Sequence, residues 1–188
     1  MAYTILYIAA SQDGFIADKN GGLDWLPQEA PEGEDSGFEK FVTSIDAIAQ
    51  GSRTFLQTIS FVESGIVPDL PYGGKHMYVF TRESMQTKRS DVTFVFSIEE
   101  FLTIINQNPL IKRVWLLGGA ELIASFKAYD LIDECIITVV PKTLQEGIAL
   151  PTNLFDNMQE IASRPLFQGM IERKYIRFEN INHTKLSI

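Results

Sequence analysis

Two adjacent glycines, Gly118 and Gly119, are the residues best placed to bind a charged group. They follow the apolar run VWLL and precede AELIASF, in which apolar residues recur at helical spacing. A helix N-terminus presents unpaired N–H groups and partial positive charge, so phosphates bind there readily. Glycine also lets the backbone approach such a group closely. The pair therefore indicates either a phosphate site or a tight turn that packs a helix against a strand.

Two other segments end a predicted strand with hydroxyls and an arginine. IAQGSRTF places Ser52, Arg53 and Thr54 at the start of a helix, and YVFTR ends on Thr81 and Arg82. Arginine matches the geometry of phosphate oxygens, and ligands of parallel sheets bind beyond the carboxyl ends of the strands. In a chain of net charge -8, three such ends favour one shared anionic ligand, and a dinucleotide fits. Neither a G-x-G-x-x-G fingerprint nor a P-loop pattern occurs.

Other chemistry is disfavoured by composition. Cys135 is the single cysteine and lies in ECIITVV, which predicts a buried strand and a packed core thiol. With only His76 and His183 besides, a zinc site is not expected, and no run has the spacing of a calcium loop. We therefore predict no metal. The net charge of -8 and the pI near 4.8 also disfavour nucleic acid as a partner.

The elements that must position these residues alternate along the chain. Apolar runs predict strands at 3–10, 46–51, 76–81, 92–96, 113–117 and 134–141, and helical spacing predicts helices at 37–45, 54–59, 97–106 and 121–129. Ser97 and Glu100 fit a capping box. Two runs flanking Gln168-Gly169 predict a C-terminal antiparallel hairpin. The pattern indicates an α/β fold, a mostly parallel sheet with helices on both faces, in one domain over residues 1–188.

The N-terminal segment lacks the basic region of a signal sequence, and no apolar stretch approaches the ~20 residues that span a bilayer. We therefore expect a cytoplasmic protein without a membrane partner.

Six motifs resemble the dihydrofolate reductase-like superfamily, and most closely its branch with the riboflavin-biosynthesis reductase domain. In chain order they are IAASQDGFIAD, DWLP, QGSRTF, YVFTR, VWLLGGAELI and EGIALP, and they span about residues 3–151. The resemblance implies NADPH as the hydride donor. It also implies that Ala9, Ile16 and Ala17 line the nicotinamide pocket. Thr81 and Arg82 would meet the adenosine end, Arg82 being the best candidate for a 2′-phosphate.

The same resemblance implies a phosphate cradle made by two helix starts. Its members would be Gly51, Arg53, Thr54, Gly118, Gly119, Ala120 and Glu121. The chain departs from the family pattern at Ser52, since an arginine commonly follows the glycine directly. Gln50 likewise stands where methionine is common.

The proton donor is expected between the DWLP and QGSRTF motifs. Hydride transfer to a C=N bond needs a proton on nitrogen, often from a carboxylic acid of raised pKa. In dihydrofolate reductases this acid lies early in the first helix. Counting forward from DWLP reaches Glu29, and counting back from Gly51 reaches Asp35. Asp35 is our predicted catalytic acid; Glu29 or a water are the alternatives, and further acids nearby are Glu32, Glu34 and Glu39.

The resemblance implies an NADPH-dependent reductase of a small heterocyclic or glycosylamine substrate. The reduction of 5-amino-6-(5-phosphoribosylamino)uracil in riboflavin biosynthesis is the specific expectation. No H-x-E with a P-C-x-x-C partner occurs in this sequence, so we expect a reductase without the deaminase that accompanies this activity elsewhere. Alternatives are a nucleotide-binding protein without catalysis, a dihydrofolate reductase proper and a flavodoxin-type flavin carrier. The resemblance also implies a homodimer.

Overall fold

The computed structural model describes residues 1–27, 36–66, 68–70 and 72–180. The described strands are β1 (Tyr3–Ser11), β2 (Phe15–Ala17), β3 (Ala47–Gly51), β4 (His76–Phe80), β5 (Val92–Val95), β6 (Arg113–Gly118), β7 (Glu134–Val140), β8 (Ile148–Ala149), β9 (Met158–Pro165) and β10 (Ile171–Arg177). The described α-helices are α1 (Phe38–Ser44), α2 (Ser52–Glu63), α3 (Ile98–Gln107) and α4 (Ala120–Ala128). Short 3₁₀ turns cover Phe167–Gly169 and Phe178–Asn180.

Eight strands form the central sheet in the order β5-β4-β3-β6-β1-β7-β10-β9. The pairs from β5 to β7 are all parallel, and β10 and β9 add an antiparallel hairpin at one edge. The predicted α/β class, the mostly parallel sheet and the C-terminal hairpin are confirmed. None of the helices in the described ranges is long and apolar enough to cross a membrane.

The helices cover both faces of the sheet, as the alternating pattern predicts. On one face Phe101 of α3 and Phe126 of α4 pack against Leu116. On the other, Phe41 of α1 and Phe55 of α2 belong to a cluster that includes Ile5, Ile48 and Trp115. Burying both faces of a parallel sheet explains why its strands are nearly continuous apolar runs.

Two local features differ from the sequence prediction. Helix α2 runs from Ser52 to Glu63 and is longer at both ends than the predicted 54–59. Gly51 precedes it in an extended conformation, so the helix begins directly after the glycine and includes Arg53 in its first turn. Strands β2 and β8 pair antiparallel and were not predicted, because three and two residues are too few for an alternating pattern.

The predicted cap of α3 is confirmed. The Ser97 hydroxyl accepts from the Glu100 N–H at 3.1 Å, and the Glu100 carboxylate accepts from the Phe96 N–H at 2.7 Å. The carboxylate thus reaches the residue before the cap rather than the cap itself, the only departure from the usual box.

Candidate active site

A crevice opens in the sheet where β1 and β6 separate. The two strands pair only from Tyr3 and Arg113 to Leu6 and Leu116. Beyond that point β1 continues to Ser11 against β7, while β6 continues to Gly118 against β3. The crevice therefore lies toward the carboxyl ends of the strands, where parallel sheets bind their ligands.

The backbone of Ala9 faces this crevice. Along β1 the Tyr3 N–H donates to Lys112 on the β6 side, at 2.7 Å, whereas the Thr4 carbonyl accepts from Asp133 on the β7 side, at 2.9 Å. The backbone groups of successive strand residues point alternately to the two neighbouring strands. The N–H and C=O of Ala9 therefore point toward the β6 side, beyond the last residue of β1 that pairs with β6. One donor and one acceptor side by side match the hydrogen-bonding groups of a planar carboxamide.

Tyr7, two residues earlier, also points its carbonyl toward β6. There it accepts from the indole Nε1 of Trp115 at 3.0 Å. Where β1 and β6 separate, a hydrogen bond from a side chain thus replaces the backbone hydrogen bonds between the strands.

The N-termini of α2 and α4 meet beside the crevice, because β3 and β6 are neighbours. Gly119 is the residue before α4, and a Cβ there would lie 3.3 Å from the Thr54 hydroxyl. A Cβ at Gly51 would lie 3.8 Å from the backbone of both Gly118 and Gly119. Gly118 has φ of +118°, which favours glycine, and the Gly118–Gly119 peptide is cis. Glycines thus keep space open between two helix N-termini, which suits a diphosphate.

Three predicted charged residues come together at this place. The exposed carboxylate of Glu121 forms an ion pair with Arg53 and lies 3.4 Å from Nη2 of Arg82. Arg53 belongs to α2, Arg82 follows β4, and Glu121 lies in the first turn of α4 beside Ala120. The three strand ends that the sequence singled out therefore form one cluster.

Thr81 is buried, and its hydroxyl is used locally. It donates to the Glu83 carbonyl at 2.9 Å and accepts from the Glu83 N–H at 3.1 Å. This turn presents Arg82 to the solvent, so Thr81 positions its neighbour. Gln50 is fully buried with its amide donating to the Met77 sulfur at 3.3 Å, and therefore points into the core below the cluster.

A cavity of about 330 Å³ adjoins Ala9 on the face of the sheet that carries α1. Tyr7 and Phe38 form part of its wall and are held by ring contacts with Phe41 and Trp115, at centroid distances of 4.5 Å for Tyr7–Phe41 and 5.8 Å for Phe38–Trp115. The lining is mainly apolar and consists of Tyr7, Ile8, Ala9, Leu26, Pro27, Ser36, Phe38, Thr138, Val140, Phe167 and Met170. Such a cavity suits a small planar ring.

Several of these wall residues were not predicted from the sequence. Thr138 lies opposite Ala9 in the register of β1 and β7, and Phe167 and Met170 come from the turn between β9 and β10. The sequence carries no signal for this placement, because it depends on which strands become neighbours. Phe38, Leu26 and Pro27 line the cavity, whereas the neighbouring Trp25 does not.

Ile16 and Ala17 lie on β2, outside the cavity wall. Ile16 packs against the core on the α3 and α4 face, and Ala17 is buried. The backbone of Gly147 approaches the Ala17 carbonyl so closely that a Cβ on Gly147 would lie 2.3 Å away. The structure thus places these two residues in the small β2–β8 sheet, whose strand β2 follows β1 in the chain.

The predicted acid Asp35 lies outside the described residues, as do Glu29, Glu32 and Glu34. Glu39 is exposed in the first turn of α1. Among the described residues that line the cavity there is no carboxylate. Pro27 and Ser36, which flank residues 28–35 in sequence, both belong to the wall.

Cys135 and His76 each contact a residue outside the cavity wall. Cys135 is fully buried, its thiol contacts the Met158 sulfur, and burial raises the pKa of the thiol to about 12. The predicted core thiol is confirmed. The His76 ring contacts the Thr93 hydroxyl at 2.8 Å, in the β4–β5 pair.

This geometry agrees with the comparisons with known proteins. The family model for the RibD C-terminal domain matches residues 70–166. The chain belongs to the RibD C-terminal domain family. Its relative YwjB of Bacillus subtilis, named an uncharacterized protein, is 37% identical over 175 residues, which cover 93% of this chain and 97% of YwjB. A "Putative dihydrofolate reductase" of Caenorhabditis elegans is 25% identical over 83% of this chain and 81% of that protein.

Solved structures show the same fold. A "Putative riboflavin biosynthesis protein" from Shewanella sp. PV-4 superimposes with a TM-score of 0.79 at 29% identity, covering 94% of this chain and 99% of that chain. Dihydrofolate reductase from Enterococcus faecalis, solved with NADP(H), superimposes with a TM-score of 0.64 at 17% identity over 94% and 96% of the two chains. The fold is dihydrofolate reductase-like, and the family is reductase-like.

Proposed function

We propose that this protein is an NADPH-dependent reductase of a small heterocyclic or glycosylamine substrate. One observation carries the proposal: the crevice beside Ala9 joins the paired helix N-termini on one side to the apolar cavity of about 330 Å³ on the other. A dinucleotide placed along it would bring its nicotinamide to the cavity wall. When bound, NADPH would supply the hydride.

The chain's own residues would bind, orient and exclude water. The glycines at the starts of α2 and α4 leave room for the diphosphate, and Arg53 and Arg82 offer charge to phosphates. Ala9 would orient the nicotinamide carboxamide through its backbone. The aromatic wall of Tyr7 and Phe38 would hold the substrate ring in a dry pocket, and Asp35 is our predicted proton source.

Reduction of 5-amino-6-(5-phosphoribosylamino)uracil is the specific reaction that we propose. Membership of the RibD C-terminal domain family and the likeness to the Shewanella protein support this substrate. Dihydrofolate is the alternative, supported by the relative named as a dihydrofolate reductase. Both are flat nitrogen heterocycles of the kind that an apolar cavity accepts.

The experiment measures oxidation of NADPH or NADH by its absorbance, with each candidate substrate, for the native protein and for Arg82→Ala. We expect NADPH oxidation that depends on the pyrimidine substrate. Loss of Arg82 should raise the KM for NADPH about tenfold, since a charge-assisted hydrogen bond contributes ~1.5–3 kcal/mol, and change the KM for NADH much less.

Lys88→Ala is the matched control, because Lys88 is an exposed cation on the same β4–β5 loop. Equal losses for both cofactors would mean that Arg82 does not read the 2′-phosphate. No oxidation with either substrate would remove the proposed reactions, and oxidation with dihydrofolate alone would select the alternative.

A further inference from the structure

Glu121 places a negative charge where the proposed function needs phosphates to bind. Its carboxylate pairs with both Arg53, in the first turn of α2, and Arg82, which follows β4. The backbone N–H groups at the start of α4 suit a diphosphate, whereas the carboxylate in the same turn pairs with the two arginines. The Glu121 carboxylate therefore occupies the arginines that a phosphate of the cofactor would use.

The ion pairs of Glu121 add little to folding. The side chains of Arg53, Arg82 and Glu121 are 81%, 90% and 63% exposed, and ion pairs this exposed contribute little to stability. Arg53 also lies in the first turn of α2, where the partial positive charge of the helix disfavours a cation. Stability thus gives no strong reason for this arrangement.

The cluster still carries excess positive charge after pairing. Two guanidinium groups and two helix N-termini converge, and Glu121 is the one carboxylate that the structure shows paired with these arginines within the described ranges. A single negative charge satisfies them only in part. A phosphate monoester, with up to two charges and three acceptor oxygens, satisfies them better.

We infer that Glu121 is an internal competitor of the cofactor: it occupies Arg53 and Arg82 until the 2′-phosphate displaces it, and so limits the affinity for NADPH. The inference rests on the proposed function. NADH has a hydroxyl in place of that phosphate and makes no demand on Arg82, so it can bind with the pair between Glu121 and Arg82 intact. Glu121 would accordingly weaken NADPH binding more than NADH binding and favour release of the spent cofactor.

Glu121→Gln tests this inference, because it keeps the size of the side chain and removes its charge. Dissociation constants for NADPH, NADH and adenosine 2′,5′-bisphosphate are measured at low ionic strength, where exposed charges are least screened. We expect binding of NADPH and of the bisphosphate to tighten about three- to tenfold, the size that release of one or two exposed ion pairs allows, and NADH binding to change less than twofold.

Two controls separate competition from a general change of charge. Glu83→Gln removes the same charge from the residue after Arg82, and among the described residues the Glu83 carboxylate has no ion pair. It should leave the affinities nearly unchanged. In a background with Arg53→Ala and Arg82→Ala, Glu121→Gln should no longer improve binding, because nothing remains to be released.

The outcomes distinguish this inference from the proposed function. Unchanged or weaker NADPH binding by Glu121→Gln would overturn it, and so would an improvement that persists without the arginines, which would mean direct repulsion. Native protein that binds neither NADPH nor NADH would instead overturn the proposed function itself.

Discussion

At the scale of single residues, the two glycines before α4 have different tasks. Gly118 has a φ of +118°, a conformation that side chains rarely adopt, and is buried. Gly119 has a φ of -73° that any residue can adopt, and a Cβ there would point toward the Thr54 hydroxyl at 3.3 Å. Gly118 is thus needed for its backbone conformation, whereas Gly119 keeps the space between the two helix N-termini free of a side chain.

Substituting the two glycines should separate folding from binding. Gly118→Ala forces a side chain into a disfavoured conformation, which costs ~1–3 kcal/mol of unfolding free energy. Gly119→Val should change the melting temperature much less, because the hydroxyl it meets can shift, yet it should abolish binding of NADPH. Thermal unfolding and cofactor titration of both variants measure the two effects. Full NADPH affinity in Gly119→Val would show that the glycine pair forms a tight turn and does not bind the cofactor.

The sequence singled out the residues that cluster at the starts of α2 and α4 but not the cavity wall. Glycine, hydroxyl and arginine residues indicate anion binding by their type alone, so Gly51, Arg53 and Arg82 could be selected from the sequence. The structure brings these residues together. Thr138 and Met170 are ordinary strand and turn residues whose position depends on remote pairing. The pairing of Glu121 with the arginines was equally invisible, since it joins residues 68 and 39 positions apart.

At the scale of elements, Asp13 joins the turn after β1 to the loop after β7. Its carboxylate accepts from the Ser11 hydroxyl at 2.6 Å and from the N–H groups of Leu144 and Gln145 at 3.1 and 2.8 Å. Gln145 has a φ of +67°, so these bonds support a backbone conformation that is otherwise disfavoured. The hydrogen bond from Ser11, followed by those from the backbone, holds the pKa of Asp13 below its usual value.

Asp13→Asn should therefore lower stability in a pH-dependent way. A carboxyl whose folded pKa is depressed stabilises the protein above its unfolded pKa of about 3.9 and loses that contribution as the pH falls through the lower folded value. The melting temperature of the variant should lie below that of the native protein at neutral pH, and the gap should narrow below about pH 4. Asp156→Asn, an exposed turn residue, is the control. A gap that stays constant with pH would show that the charge of Asp13 is not involved.

Element types were predictable because their signals are local. Period and capping residues place α3 correctly, down to the Ser97 hydroxyl that accepts from Glu100. The predicted range 54–59 begins two residues too late, since a glycine N-cap lets α2 begin at Ser52. Local signals thus determine what an element is better than where it begins.

At the scale of the whole molecule, the site depends on strand order, which no local pattern contains. The crevice exists because β1 pairs with β6 only as far as Leu6, whereas its pairing with β7 continues to Ser11. Alternating strands and helices predict a parallel sheet but are compatible with many strand orders. The resemblance to a known family implied the fold, and the structure supplies the strand order. The homodimer and the lack of nucleic-acid and membrane partners stay predictions. We expect a second copy of the chain to bind at β9, an edge strand with mostly exposed residues.

The central claim, that a phosphorylated dinucleotide binds in the crevice between β1 and β6, is tested most directly by titrating the purified protein with NADPH and NADH. Trp115 is almost fully buried and donates to the Tyr7 carbonyl at the crevice, so quenching of its fluorescence should report binding, with Trp25→Phe removing the other tryptophan. We predict saturable binding of NADPH in the micromolar range that is clearly tighter than that of NADH. Absence of binding for both would contradict the account and leave a reductase-like fold with another use.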